Sequence, residues 1–148
     1  SAARAPGRYV GQQAVSVYRR LAGGDDAVQV SGCGGNVTFG ASAGRCSPLI
    51  FSSRFQPFLM DNMPRCVNEA LRSEGLPAAS HIHVQNMGSY SYRAARGSSR
   101  LSMHATGRSL DISAFNLTLS NGQRVNIPMT VVSRNRRFYN SFVQCWRT

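Results

Sequence analysis

The chain has 148 residues, of which 42% are hydrophobic, and this size and composition suit one domain with a single buried core. Its net charge is +11 and all 17 basic residues are arginine. Such a chain is attracted to an anionic surface such as nucleic acid, anionic lipid or the bacterial wall, and the alternative is a solvated basic face without a partner. The sequence has no run of about 18 apolar residues, so no transmembrane segment is expected.

The hydrophobic pattern predicts an α+β fold, in which a small antiparallel sheet is flanked by helices. Residues 1–10 are expected to form a flexible lead-in, and 11–148 a single domain. A first helix is predicted over 11–21, where apolar residues recur at helical spacing before Gly23 and Gly24. Short strands are then expected at 27–30 and around 37–39.

A second helix is predicted over 55–74, because its apolar residues fall on one face. Pro64 is expected in the first turn of this helix, with Asp61 or Asn62 as its N-terminal cap. Beyond it, the pattern predicts strands at 81–84, 110–119 and 124–127 and a last helix from 134 to the end. Between the last two strands, Asn121 and Gly122 predict a hairpin with a type I′ turn.

The chain has four cysteines, and none of them forms a C-x-x-C pair, so a structural zinc knuckle is not expected. An even number of cysteines is compatible with two disulfides and an oxidising compartment. Four cysteines allow three pairings, and the short Gly-rich loop between Cys33 and Cys46 favours the pairing of these two. Free buried thiols in a cytosolic protein are the alternative.

A segment in the second half of the chain carries candidate metal ligands. His104 stands seven residues before Asp111, and Gly107 lies between them, where the chain could reverse direction. Asp111 falls inside a predicted apolar strand, where a buried carboxylate would need an arginine or a metal ion as its partner. Imidazole and carboxylate are both good zinc ligands. The alternative is a structural Asp111 that is bonded to backbone amides or to Arg108.

The segment Ser102-x-His104-x-x-Gly107-x-Ser109-x-Asp111 resembles the S-x-H-x-x-G-x-A-x-D signature of the D-alanyl-D-alanine zinc peptidase group. Two flanking blocks make the chain more similar to one member of that group, the extensin-like C-terminal domain family. These blocks are Gly88-Ser-Tyr-Ser-Tyr-Arg93 before the segment and Leu119-Ser-Asn-Gly-Gln-Arg-Val-Asn-Ile127 after it.

The resemblance implies a D-alanyl-D-alanine peptidase-like fold and a zinc-dependent peptidase that cleaves stem or crosslink peptides of peptidoglycan. It implies that His104 and Asp111 are zinc ligands and that Arg93 stabilises negative charge on the oxygen of the scissile carbonyl. Ser102 and Tyr90 are candidates for substrate binding, with core packing as the alternative for Tyr90.

The sequence departs from the family pattern at three places. Tyr92 stands where the family usually has cysteine, and Ser109 stands where it usually has alanine. The C-terminal block that supplies the third zinc ligand and the general base is not found before Thr148. We therefore expect either that the domain lacks its catalytic tail or that His81 or His83 completes the site, with His83 preferred because it is nearer the Gly-Ser-Tyr turn.

These features together predict a periplasmic or secreted protein whose partner is peptidoglycan. They are also compatible with an antibacterial effector that has an immunity protein as a second partner. The alternative function is a non-catalytic wall-binding or interaction module with an incomplete metal site. Nucleic acid is not expected as a partner, because the aromatic residues are not interleaved with the arginines as a stacking platform requires.

Overall fold

The computed structural model describes residues 15–20, 24, 26–87, 110–129 and 133–147. Within these ranges the chain forms seven strands and two helices, which confirms the α+β class. The strands are β1 (Val15–Arg20), β2 (Asp26–Val30), β3 (Val37–Gly40), β4 (Leu49–Ser52), β5 (Ala79–Asn86), β6 (Ile112–Leu119) and β7 (Arg124–Pro128). The helices are α1 (Phe55–Ser73) and α2 (Arg136–Arg147), and a single 3-10 turn (Ser133–Asn135) precedes α2. Neither helix is long and apolar enough to cross a bilayer.

The strands form two sheets rather than the single antiparallel sheet that the pattern predicts. β1, β2 and β4 make an antiparallel sheet in that order. The second sheet has the order β3-β5-β6-β7, and its β3–β5 pair is parallel whereas the other two pairs are antiparallel. The parallel pair follows from the connection, because β4 and α1 carry the chain from β3 over to β5 and no hairpin joins the two strands.

One face of the four-stranded sheet carries the hydrophobic core. Its buried apolar residues alternate with polar ones along the strands and include Phe39, Ile82, Val84, Phe115 and Leu117. Both helices pack on this face, and α2 places Phe138 and Phe142 against Phe115. The opposite face of the sheet therefore displays the polar side chains of the same strands.

The predicted span of α1 is confirmed, but its predicted cap and the predicted place of Pro64 are wrong. The helix begins at Phe55, and the Ser52 hydroxyl oxygen accepts a hydrogen bond from the backbone N–H of Arg54 at 3.1 Å. Pro64 consequently lies in the middle of the helix, and neither Asp61 nor Asn62 caps it. The helix continues through Pro64 because its apolar face is buried on both sides of that residue.

The predicted helix over 11–21 is wrong at the positions that the structure describes, since 15–20 form strand β1. Val15 pairs with Val30, and Arg20 pairs with Asp26. The Val-x-Val sequence at the start of this segment fits a strand, because β-branched residues favour extended backbone. Pairing with β2 then supplies backbone hydrogen bonds that a helix would have made internally.

The hairpin between β6 and β7 is confirmed, but the predicted turn type is wrong. Gly122 has a φ of +88°, whereas no non-glycine residue in the described ranges has a positive φ. A type I′ turn needs positive φ at both central residues, so Asn121 and Gly122 do not form one. Instead Leu119 N–H donates to the Gln123 carbonyl, and the loop ends with a left-handed glycine. Asn121 accepts a hydrogen bond from Gln123 N–H at 2.9 Å through its side chain.

All four cysteines are paired. The predicted disulfide between Cys33 and Cys46 is confirmed, and it closes a loop with a sequence separation of 13. The second disulfide joins Cys66 in α1 to Cys145 in α2 across a sequence separation of 79. Two disulfides and no free thiol are compatible with an oxidising compartment.

Candidate functional site

Asp111 lies immediately before β6, next to the end of β5. Its backbone carbonyl accepts a hydrogen bond from Met87 N–H at 2.8 Å, and Ile112 pairs with Asn86 at the first position of the strand ladder. The side chain of Asp111 is exposed. The prediction that this carboxylate is buried in an apolar strand is therefore wrong, because the strand begins one residue later. Burial does not argue for a metal ion here, and the proposed ligand role rests on the sequence motif.

The other residues of the predicted zinc motif and its surroundings are Tyr90, Arg93, Ser102 and His104, and all lie outside the described residues. The roles assigned to them stay predictions. Met87 and Leu110 are the described residues on either side of this segment, and both lie beside Asp111. Met87 is hydrogen-bonded to Asp111, and Leu110 precedes it in the chain.

His83 lies elsewhere, in the middle of β5. Its Nδ1 is 2.7 Å from the Thr38 hydroxyl oxygen, and its Nε2 is 2.8 Å from the Ser42 carbonyl oxygen. His83 pairs with Asn116, which is five residues along β6 from Asp111, or about 17 Å at the usual rise of a strand. The structure thus does not bring His83 and Asp111 together. The expectation that His83 completes a metal site with Asp111 is not met, because both ring nitrogens bind other groups.

The partners of His83 determine the direction of a short chain of hydrogen bonds. The Ser42 carbonyl can only accept, so Nε2 of His83 carries a proton. In the neutral ring Nδ1 then accepts from the Thr38 hydroxyl, whose oxygen is 3.1 Å from Nε2 of His81 and accepts from it. The neutral ring of His81 consequently presents its Nδ1 as a hydrogen-bond acceptor.

The surroundings of His81 shift its pKa. Desolvation by burial, and to a smaller extent the nearby His83, lower the pKa of His81 from its ordinary value of 6.5. The ring is therefore neutral at pH 7 and keeps its acceptor nitrogen.

These side chains line a groove of about 570 Å³ on the polar face of the four-stranded sheet. The polar face of the sheet is the floor of this groove. Strand pairing places its side chains in two rows, one with Thr38, His83, Asn116 and Asn126 and the other with His81, Thr118 and Arg124. The loop over 41–47, which ends beside the first disulfide, forms one wall through Ala43, Gly44 and Cys46. Of the described lining residues Arg124 is the only one with a permanent charge, and none is acidic.

The amide side chains on the floor are also oriented. Asn126 Nδ2 donates to Asn116 Oδ1, and Asn116 Nδ2 donates to Gln85 Oε1 at 3.1 Å. The sequence alone did not reveal this groove. Its signal was the alternation of polar and apolar residues in both β5 and β6, which marks a polar face but does not reveal which residues of different strands are neighbours.

The predicted metal fits these residues only in part. In the described part of the chain, no group of three or more His, Cys, Asp or Glu side chains could hold a metal ion. The exposed carboxylate of Asp111 fits the role of a zinc ligand, and His83 does not. A zinc site that includes Asp111 would draw its other ligands from outside the described ranges.

Comparisons with known proteins give one family assignment. Neither the comparison with curated proteins nor that with solved structures found a significant match. A family model described as "Extensin-like protein C-terminus" matches residues 10–145. This match spans every block on which the sequence resemblance rests, from Gly88 to Ile127. The chain belongs to the extensin-like C-terminal family.

Proposed function

We propose that this chain is a zinc-dependent peptidase that cleaves stem or crosslink peptides of peptidoglycan. The observation that carries the proposal is the family match over residues 10–145, which includes the motif from Ser102 to Asp111. Zinc, when bound, would polarise the scissile carbonyl and lower the pKa of a bound water molecule. The grouping of the family with the D-alanyl-D-alanine peptidases is part of this proposal.

His104 and Asp111 are the proposed zinc ligands. Asp111 suits this role because its side chain is exposed while its backbone is bonded to the end of β5 through Met87. A ligand at the start of a paired strand is held more precisely than one in a free loop. The third ligand and the general base are not assigned to any residue.

Three further residues are proposed to act on the substrate. Arg93 would place its permanent positive charge against the developing oxyanion of the scissile carbonyl. Ser102 and Tyr90 would bind the peptide near this position.

The net charge of +11 would favour approach to an anionic wall polymer. We place the protein in the periplasm or outside the cell, where two disulfides would persist. An effector role with an immunity protein as partner remains a prediction.

The first test measures zinc in the purified chain by inductively coupled plasma mass spectrometry. Stoichiometric zinc is expected in the wild type and its loss in His104→Gln and in Asp111→Asn. Asp61→Asn is the matched control for Asp111→Asn, since it changes an exposed carboxylate on α1 rather than one in the motif, and it should keep its zinc.

The second test incubates the same proteins with purified sacculi and identifies released peptides by mass spectrometry. The wild type and Asp61→Asn are expected to release peptides, and the two ligand variants are not. A correctly folded, metal-free wild type that binds sacculi and releases no peptide would contradict the proposal. That result would identify the alternative, a non-catalytic wall-binding module.

A further inference from the structure

We propose that the groove on the polar face of the four-stranded sheet is a binding site for an N-acylated amino acid, either free or at the C terminus of a peptide. Arg124 would pair with the carboxylate of this ligand, and Nδ1 of His81 would accept a hydrogen bond from its amide N–H. The proposal does not depend on the peptidase function. Thr118, which lies between these two residues, is seven residues along β6 from Asp111, or about 23 Å.

The charge of the groove favours a single carboxylate. Arg124 is exposed and makes no ion pair with any residue that the structure describes, and it is the only permanently charged residue in the described lining. One guanidinium matches one planar carboxylate through two parallel hydrogen bonds. A phosphate dianion would need more positive charge than this groove offers. With no acidic residue in the described lining, nothing there repels an anion.

The hydrogen-bond chain supplies the second contact. The Nε2 proton of His81 is directed to Thr38, so the neutral ring presents only its Nδ1 lone pair to a ligand. Such an acceptor binds an N–H or O–H group and not a second anion. His81, Thr118 and Arg124 form one row across three strands, which separates the Cα atoms of the outer two by about 10 Å. The long side chain of Arg124 can cover part of this distance, so both contacts can be made to neighbouring groups of one small molecule.

The wall of the groove is held in place before any ligand binds. His83, on the floor, is hydrogen-bonded to the Ser42 carbonyl in the wall. The disulfide between Cys33 and Cys46 holds the end of the wall loop over 41–47. Ser47 N–H also donates to the Phe39 carbonyl at 2.9 Å. A preformed wall reduces the entropy lost on binding. The volume of about 570 Å³ lies within the usual range for small-molecule sites.

The test is a titration of the ¹⁵N-labelled full chain followed by two-dimensional NMR. Three probes are used: N-acetylalanine, trialanine, and N-acetylalanine amide, in which the carboxylate is replaced by a neutral group. The two acids are expected to cause saturable shifts in the amide signals of Thr118 and Arg124, and the amide to bind at least tenfold more weakly. Tighter binding of trialanine would identify a peptide C terminus as the ligand, and equal binding would identify the free N-acyl amino acid.

Variants then assign the two contacts. Arg124→Gln should weaken binding of N-acetylalanine at least tenfold, whereas Arg147→Gln, which changes an exposed arginine on α2, should leave it unchanged. His81→Leu should weaken binding of both acids. Asp111→Asn should bind like the wild type, so a failure of the peptidase proposal does not affect this result. Absence of saturable shifts with both acids, equal binding of the amide, or wild-type binding by Arg124→Gln would overturn the proposal.

Discussion

The two disulfides differ greatly in the length of chain that they close, and this difference predicts their contributions to stability. The sequence separations are 13 for Cys33–Cys46 and 79 for Cys66–Cys145. In the chain-entropy model a cross-link stabilises the folded state by restricting the unfolded chain, and the effect grows with the logarithm of loop length. Replacing both cysteines by alanine should therefore cost about 3 kcal/mol for the short loop and about 4.5 kcal/mol for the long one.

Packing increases this predicted difference. Cys66 is fully buried and Cys145 is 8% exposed, so their removal leaves a gap between α1 and α2. Cys46 is exposed, and loss of its sulfur removes little buried surface. The difference of about 1.6 kcal/mol that follows from loop length is thus a lower bound.

Urea unfolding followed by far-ultraviolet circular dichroism, without reducing agent, measures both effects. The proteins compared are the wild type and the two double variants, Cys33→Ala with Cys46→Ala and Cys66→Ala with Cys145→Ala. The variant without the α1–α2 link should have the smaller free energy of unfolding. If the short-loop variant loses as much stability as the long-loop variant, loop closure does not govern these disulfides and the reasoning is refuted.

Three further changes have predicted effects on stability. Gln56→Leu should raise the free energy of unfolding by about 1 kcal/mol in urea titrations, because within the described structure the buried Nε2 of Gln56 has no hydrogen-bond partner. Gly40→Ala should lower the melting temperature more than Gly44→Ala does. A Cβ on Gly40 would lie 1.6 Å from the Arg45 carbonyl oxygen, whereas a Cβ on Gly44 would meet no atom within 4 Å. Equal changes in melting temperature would contradict this. Because the pKa of His81 is lowered in the folded state, the unfolded chain binds the proton more readily below pH 6.5, and stability should fall as the pH drops through that value. His81→Gln should lose less stability between about pH 7.5 and about pH 5.5, and an identical loss in both proteins would refute the assignment.

Local patterns predicted the elements whose structure depends on their own residues. The apolar face of α1, the alternation in β5 and the hairpin glycine are each contained in a few neighbouring positions. The short loop between Cys33 and Cys46 likewise indicated its own disulfide. These features could be derived because the physical cause and its effect lie close together in the chain.

The errors arose where a distant segment decides the outcome. The apolar spacing near Val15 fits a helix or a strand, and pairing with β2 selects the strand. His83 resembles a free ligand in the sequence, but the loop containing Ser42 folds over it and takes one of its nitrogens. Asp111 was identified by its motif, yet its exposure depends on where β6 begins to pair with β5. None of these contacts can be read from a single segment.

The long disulfide also has a consequence for the order in which the chain can mature. Cys66 cannot pair until α2, which contains its partner at a sequence separation of 79, has been synthesised. Cys33 and Cys46 can meet as soon as their short loop has left the ribosome or the export channel. Once the local bond has formed, two cysteines remain and only the native pairing is left. Early closure of the small loop therefore protects the chain from mispairing, and an oxidase can complete the second bond without an isomerase to correct the first.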